Sequence, residues 1–206
     1  MKKFLIAIFF LVVSLFVVWK FVFKKNKKDP GPEPVSLAVS KHSDEFNQSM
    51  NSMMTAYYSL TEAFVNWDTM TINKNSANLK AAVELLKVDE MKKDSAIYPT
   101  VESQWGMLKS EIEGMIADVE LNDKKESLNM LSQQLFDLLR IVKYDAAKIY
   151  YQECPMALND YGSSAFWLST DAADDKRRNP YLGLHDPKYG KAMLICGNTR
   201  DSIRIE

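Results

Sequence analysis

The sequence has little of what enzyme chemistry usually demands. It contains no G-x-S-x-G nucleophile elbow, no glycine loop able to cradle a phosphate and no H-E-x-x-H zinc helix, and neither cysteine stands near a histidine in a nucleophile pattern. Acidic neighbours such as Glu111 with Glu113, or Asp174 with Asp175, sit too close in sequence to face one another across a helix. They read as solvated surface, and no catalytic constellation is expected. A basic stripe is missing as well. Seven lysines and no acid fall within residues 1–28, so the net charge of -1 becomes about -8 for the remainder. That is the wrong sign for a nucleic-acid partner.

What is present begins with an apolar run. Phe4 to Trp19 is apolar except for Ser14 and continues past Lys20 through Phe21, Val22 and Phe23. About 20 apolar residues flanked by lysines are enough to span a bilayer, with Lys20 snorkelling to the headgroups. Residues 1–28 are therefore expected to be an N-terminal signal anchor or transmembrane segment. The rival is a cleavable signal peptide, but no small-residue cleavage site and no lipidatable cysteine follow, which favours the anchor. The lysine count after the span would hold the body in the cytoplasm, whereas an N-terminal apolar segment ordinarily directs export. Residues 29–40, with "DPGPEP" at their start, form a proline-rich linker.

Residues 41–206 carry the folded domain. Phe46, Met50, Met53, Tyr57, Leu60, Phe64 and Trp67 alternate steps of four and three, giving one helical stripe. Leu79, Val83 and Leu86 make a second, and Val101, Trp105, Leu108, Ile112, Met115 and Val119 a third, with Pro99 suited to its first turn. Leu128, Leu131, Leu135, Leu138 and Val142 make a fourth, opened by Asp123 and Glu126 as a capping box. Four such segments with short polar connections predict an all-α fold, an antiparallel helical bundle. Past Tyr151 the helical period disappears, and four of the seven glycines and three of the seven prolines fall there. Residues 151–206 are expected to be an irregular cysteine-containing tail packed on the bundle, in which "AMLIC" or "SIRIE" could be short strands.

The tail holds both cysteines, each close to a methionine: Cys154-Pro155-Met156 and Met193-Leu194-Ile195-Cys196. Two thiolates and two thioethers would suit Cu(I). A Cys154–Cys196 disulfide is the alternative, natural for an exported chain, and would contribute about 4 kcal/mol in the chain-entropy account. A third option keeps both as small buried hydrophobes. His185 reads as a solvated side chain that could add a ligand, and His42 as capping or surface. Met50, Met53 and Met54 resemble a metal track, yet Met50 and Met53 lie on the core stripe. Tyr161, Phe166, Trp167 and Tyr181 are expected to clamp the tail to the helices.

"YYQECPMA", "GSSAFWLS", "NPYLG" and "KAMLICG" together resemble the signature of an uncharacterised bacterial envelope domain. That domain occurs alone or fused to periplasmic adaptor subunits of copper/silver-type heavy-metal efflux systems. The resemblance singles out Cys154, Pro155, Met156 and Trp167 to Ser169, then Asn179, Pro180, Tyr181 and Gly183, then Met193, Cys196 and Gly197; "LHDPKYG" is an insertion relative to it. It implies a periplasmic body and a partner among efflux proteins, in addition to the membrane. The expected function is a non-catalytic envelope protein binding Cu(I) or Ag(I) through Cys154, Met156, Met193 and Cys196. The alternative is a disulfide-stapled structural or interaction module without metal, its tail packed through Trp167, Asn179, Pro180 and Tyr181.

Overall fold

A computed structural model describes residues 40–204. The expected anchor at 1–28, and all of the linker except its last residue, lie outside them. Among the described residues no helix is long and apolar enough to cross a membrane.

Four helices come first: α1 (Asp44–Val65), α2 (Thr69–Glu84), α3 (Tyr98–Ala117) and α4 (Leu121–Ile141), with a 3-10 segment, Val88–Lys93, between α2 and α3. Each helix packs on the next. Ser43 starts α1 by accepting the Phe46 N–H at 3.2 Å, and Asp68 starts α2 by accepting that of Thr71 at 3.1 Å, so both termini have a side-chain cap. The four stripes form the core, with Phe46, Met50, Met53, Tyr57, Leu60, Phe64, Leu108, Ile112 and Leu128 all at 0 % exposure. Three details differ from the pattern. α1 ends at Val65, leaving Trp67 in the α1–α2 corner with φ 52°, and Val119 lies beyond α3 in solvent. α4 begins at Leu121, so Asp123 is inside its first turn and caps nothing. The end of α3 is instead covered by Lys124, whose buried ammonium donates to the Met115 carbonyl at 2.6 Å.

The chain then forms a sheet, which corrects the all-α expectation. β1 (Ile149–Leu158), β2 (Ser163–Ser169) and β3 (Asn198–Ile203) make a three-stranded antiparallel sheet in the order β2-β1-β3, packed against the helices. The fold is therefore mixed α and β, and the tail is not irregular where it carries Cys154. β1 hid its identity because it is covered on both faces. Tyr151 stacks between Phe136 of α4 and Phe166 of β2, at 4.3 and 5.0 Å, while Gln152 and Cys154 on the other side of the pleat are buried beneath the later tail. A strand buried on both sides has no alternation to read. Pro155 is tolerated in this central strand because the register with β2 shifts between Cys154 and Leu158, where a bulge relieves it of pairing. "SIRIE" contributes the end of β3, whereas "AMLIC" lies in a 3-10 turn, Gly190–Ile195, and its neighbour.

The sheet meets the helices through the outer edge of β2. Its free backbone groups would ordinarily call for another strand; here side chains take that place. Asn129 of α4 accepts the Phe166 N–H at 2.9 Å, Tyr57 of α1 accepts the Leu168 N–H at 3.0 Å, and the Tyr181 hydroxyl donates to the Phe166 carbonyl. Ser132 donates to the Leu128 carbonyl at 2.7 Å, so its remaining contact, 2.7 Å from Tyr57 Oη, must receive the tyrosine proton. The result is a one-way chain from β2 into α4. Burial pushes the Tyr57 hydroxyl far above its ordinary pKa, which keeps it a neutral donor. Tyr57→Phe removes both bonds and leaves the Leu168 N–H buried and unmet; it is expected to destabilise by about 1–3 kcal/mol in denaturant unfolding.

Candidate functional site

Cys154 and Cys196 are bonded to each other, across 42 positions of sequence and with their Cα atoms 5.7 Å apart. The bond joins the central strand to the residue that leads into β3. Around it the tail motifs have definite tasks. Asn179 is fully buried: its side-chain oxygen accepts the N–H of Tyr181 at 2.9 Å and of Leu182 at 3.3 Å, and its amide donates to the Cys196 carbonyl at 3.3 Å. An asparagine before proline is suited to this turn, because its side chain supplies the acceptors. Pro180 is buried, and Tyr181 packs edge-on to Trp167 with ring centroids 6.2 Å apart.

Gln152 is the polar node of the sheet. Its amide donates to Ser169 of β2 at 2.9 Å, and its oxygen accepts from Thr199 of β3 at 3.1 Å and from buried Arg177 at 3.2 Å. One β1 side chain thus joins all three strands and the tail. Two glycines allow the close approaches that this needs. Gly183 has φ 56° and faces the Val65 carbonyl, which accepts the Leu184 N–H at 3.0 Å, so the tail closes the end of α1. Gly197 has φ 128°, and a Cβ there would lie 2.5 Å from the Glu153 carbonyl oxygen and 3.0 Å from the Trp167 ring.

Of the proposed soft ligands, then, the two thiols are consumed by their own bond. Met193 is buried in the tight turn that ends with the Cys196 N–H donating to the Met193 carbonyl at 3.0 Å, and Met156 is half-buried against the core. Met50, Met53 and Met54 are core residues. His42 is not on the surface: its ring stacks on Phe46 at 4.6 Å, and Nδ1 lies 3.0 Å from a Glu90 oxygen. His185 is exposed, 6.2 Å from Trp67 between ring centroids. Among the described residues no three His, Cys, Asp or Glu side chains gather as a metal cluster.

The sequence reading missed a second feature. A cavity of about 660 Å³ opens where the α1–α2 corner, the first turns of α4, the β1–β2 hairpin tip and the loop after Leu182 converge. The hairpin tip is unusual: Asn159, Asp160 and Tyr161 are all left-handed, with φ of 51°, 52° and 70°. Asparagine and aspartate tolerate that region, but tyrosine does so at a cost, and Trp67 at the opposite wall shares it. Tyr161 donates to Asp186 Oδ2 at 2.9 Å, and Asp186 Oδ1 accepts the backbone N–H groups of Lys188 and Tyr189 at 3.1 and 2.6 Å. Lys125, 6 % exposed, places its ammonium 3.8 Å from the centre of the Trp67 ring. Burial draws its pKa down to about 8, against the opposing pull of Asp186. The Lys124-Lys125 pair lies four and three residues before Leu128, on the N-terminal extension of the α4 stripe, but its charge hides that position.

No family model, curated protein or solved structure matches this chain.

Gly197→Ala is expected to cost about 2 kcal/mol or more, because both the left-handed backbone and the space are denied to a methyl group. Gly106→Ala in the interior of α3, where nothing lies within 4 Å, should be neutral or stabilising by up to about 1 kcal/mol. Thermal unfolding of the two variants checks the contrast. A further expectation concerns acid. The Arg200 guanidinium bonded to Glu153 holds that carboxyl below its ordinary pKa. Its stabilisation is complete above the usual glutamate pKa and is lost as pH falls through the lower folded value. Arg200→Gln should flatten this acid limb in unfolding measured from pH 7 to pH 3.

Proposed function

We propose that the chain is a non-catalytic envelope protein in which a disulfide fastens a β-sheet to a set of four helices, producing a rigid binding or interaction module. The observation that carries this is the Cys154–Cys196 bond, placed between the central strand and the start of β3. Such bonds persist in oxidising compartments, which supports a periplasmic body behind an N-terminal membrane anchor. The buried carboxylates are occupied by structural partners, Glu153 by Arg200 and Asp186 by Tyr161 and two backbone N–H groups, which supports a role without acid/base chemistry.

Binding of Cu(I) or Ag(I), with delivery to an efflux adaptor, is a second reading that belongs to the reduced protein. It is favoured by the tight turn that holds Met193 and Cys196 together, and it would use both thiols with Met156 and Met193 as thioether ligands. Opening the bond is its precondition.

Mass measurement after alkylation separates the two. Protein from the envelope should take up no alkyl group before reduction and two after it, and the reduced protein should not compete for Cu(I). Two free thiols in protein as isolated, with stoichiometric Cu(I) uptake, would replace the staple by the metal reading. Cys154→Ser with Cys196→Ser is expected to cost about 2–5 kcal/mol in denaturant unfolding.

A further inference from the structure

The cavity lined by Lys125 carries an inference that is independent of the redox state of the cysteines. Its floor is built from buried Ala157, Leu182, Asp186 and Lys125, while Asn122, Glu126, Asn159, Asp160 and Lys188 stand exposed at its rim. The two floor charges differ in kind. Asp186 already accepts from one hydroxyl and two backbone N–H groups. Lys125 has no hydrogen-bond acceptor among the described residues; its ammonium has only the face of Trp67, whose own indole N–H is buried without a partner. The neighbouring Lys124 shows what the fold does with a lysine required for structure, since its ammonium is bonded to a carbonyl.

The Lys125 nitrogen is not among the fully enclosed unpartnered polar atoms, so it opens onto the cavity, and acceptors for its three N–H donors come from that side. The Trp67 ring offsets part of the cost of burial, and also fixes where the ammonium sits. It offers no lone pair. The ammonium's acceptor is therefore water in the free protein or a ligand that displaces it, and the ligand group best matched to a largely desolvated ammonium is an anion with paired oxygens. The rim limits which anion. Glu126 and Asp160 at the mouth, with Asp186 below, outnumber Lys125 and Lys188, so a multiply charged anion such as a phosphate ester meets repulsion. A singly charged carboxylate, particularly one with a donor or ammonium group at its far end for the rim acids, does not. The volume lies within the range of small-molecule sites.

We propose that this cavity binds a small monocarboxylate of the amino-acid type, its carboxylate accepting from the Lys125 ammonium on the cavity floor. The strained hairpin tip and the Trp67 corner are the walls that hold the site open for it. Lys125 must be protonated for this contact. With its pKa near 8 in the free protein, affinity is constant below that pH and falls about tenfold per unit above it. Asp186, Glu126, Asp160, Lys188 and Tyr161 are the other titratable groups around Lys125. Comparison with the pH profile of Lys125→Arg, whose guanidinium stays charged throughout, assigns the fall to Lys125.

Isothermal titration of the full chain tests this at pH 7 with alanine, propionate, the dipeptide Ala-Ala, propylamine, glucose and inorganic phosphate. Alanine or propionate should bind at least tenfold more tightly than propylamine, glucose and phosphate. Stronger binding of Ala-Ala would mark a chain-terminal carboxylate as the source of the same group. Lys125→Met should abolish carboxylate binding with an unchanged or raised unfolding temperature, since it removes a buried charge, while Lys125→Arg should retain part of it. If Lys125→Met does not fold, NMR titration of the Lys125 ammonium in the native chain decides, with saturating alanine expected to raise its pKa. No carboxylate binding, stronger binding of glucose or phosphate, full binding by a folded Lys125→Met variant, or an unmoved Lys125 pKa would each overturn the proposal.

Discussion

The structure depends on closing one edge of a three-stranded sheet without a fourth strand. A sheet this small is marginal by itself, and its open edge invites pairing with another chain. Here Tyr57, Asn129 and Tyr181 satisfy the outer backbone groups of β2, and the first two come from helices. Satisfying those groups and docking the sheet are thus the same event. Ser132 extends the network to the backbone of α4, so a hydrogen-bonded path crosses the whole interface.

The rest of the tail follows from that docking. With one face of β1 against α4 through Tyr151 and Phe136, the other face needs its own cover, and residues 170–197 supply it. Gln152 ties strands and cover together, Asn179 shapes the turn, and the disulfide closes the circuit between β1 and the approach to β3. The tail also reaches the end of α1 at Gly183 and, a few residues later, forms one wall of the cavity with Asp186. A rigid frame fastened at both sides of the site can hold Lys125 and Trp67 in an otherwise unfavourable arrangement.

The helices were legible because their cores are amphipathic: the stripe from Phe46 to Phe64 fell on buried positions at a period that only a helix gives. The sheet was not, because β1 is covered on both faces and contains Pro155, so neither alternation nor uniform hydrophobicity marked it. The importance of Cys154, Trp167, Asn179, Tyr181 and Cys196 was visible as a motif, but their work is packing and fastening. The cavity left no trace in the sequence, and the place of Lys125 three residues before Leu128, on the extension of the α4 stripe, is masked by its charge. A lysine at a helix start reads as surface, and only the convergence of four distant segments on Trp67 makes it buried.

Native-state hydrogen exchange of the Phe166 and Leu168 amides addresses the edge directly. If helix side chains seal the strand, both amides exchange only through global unfolding, at the same free energy as the core amides of α1 and α4. Rapid exchange of this pair, with the helices still protected, would mean that the sheet edge is open and that the sheet is not docked as described.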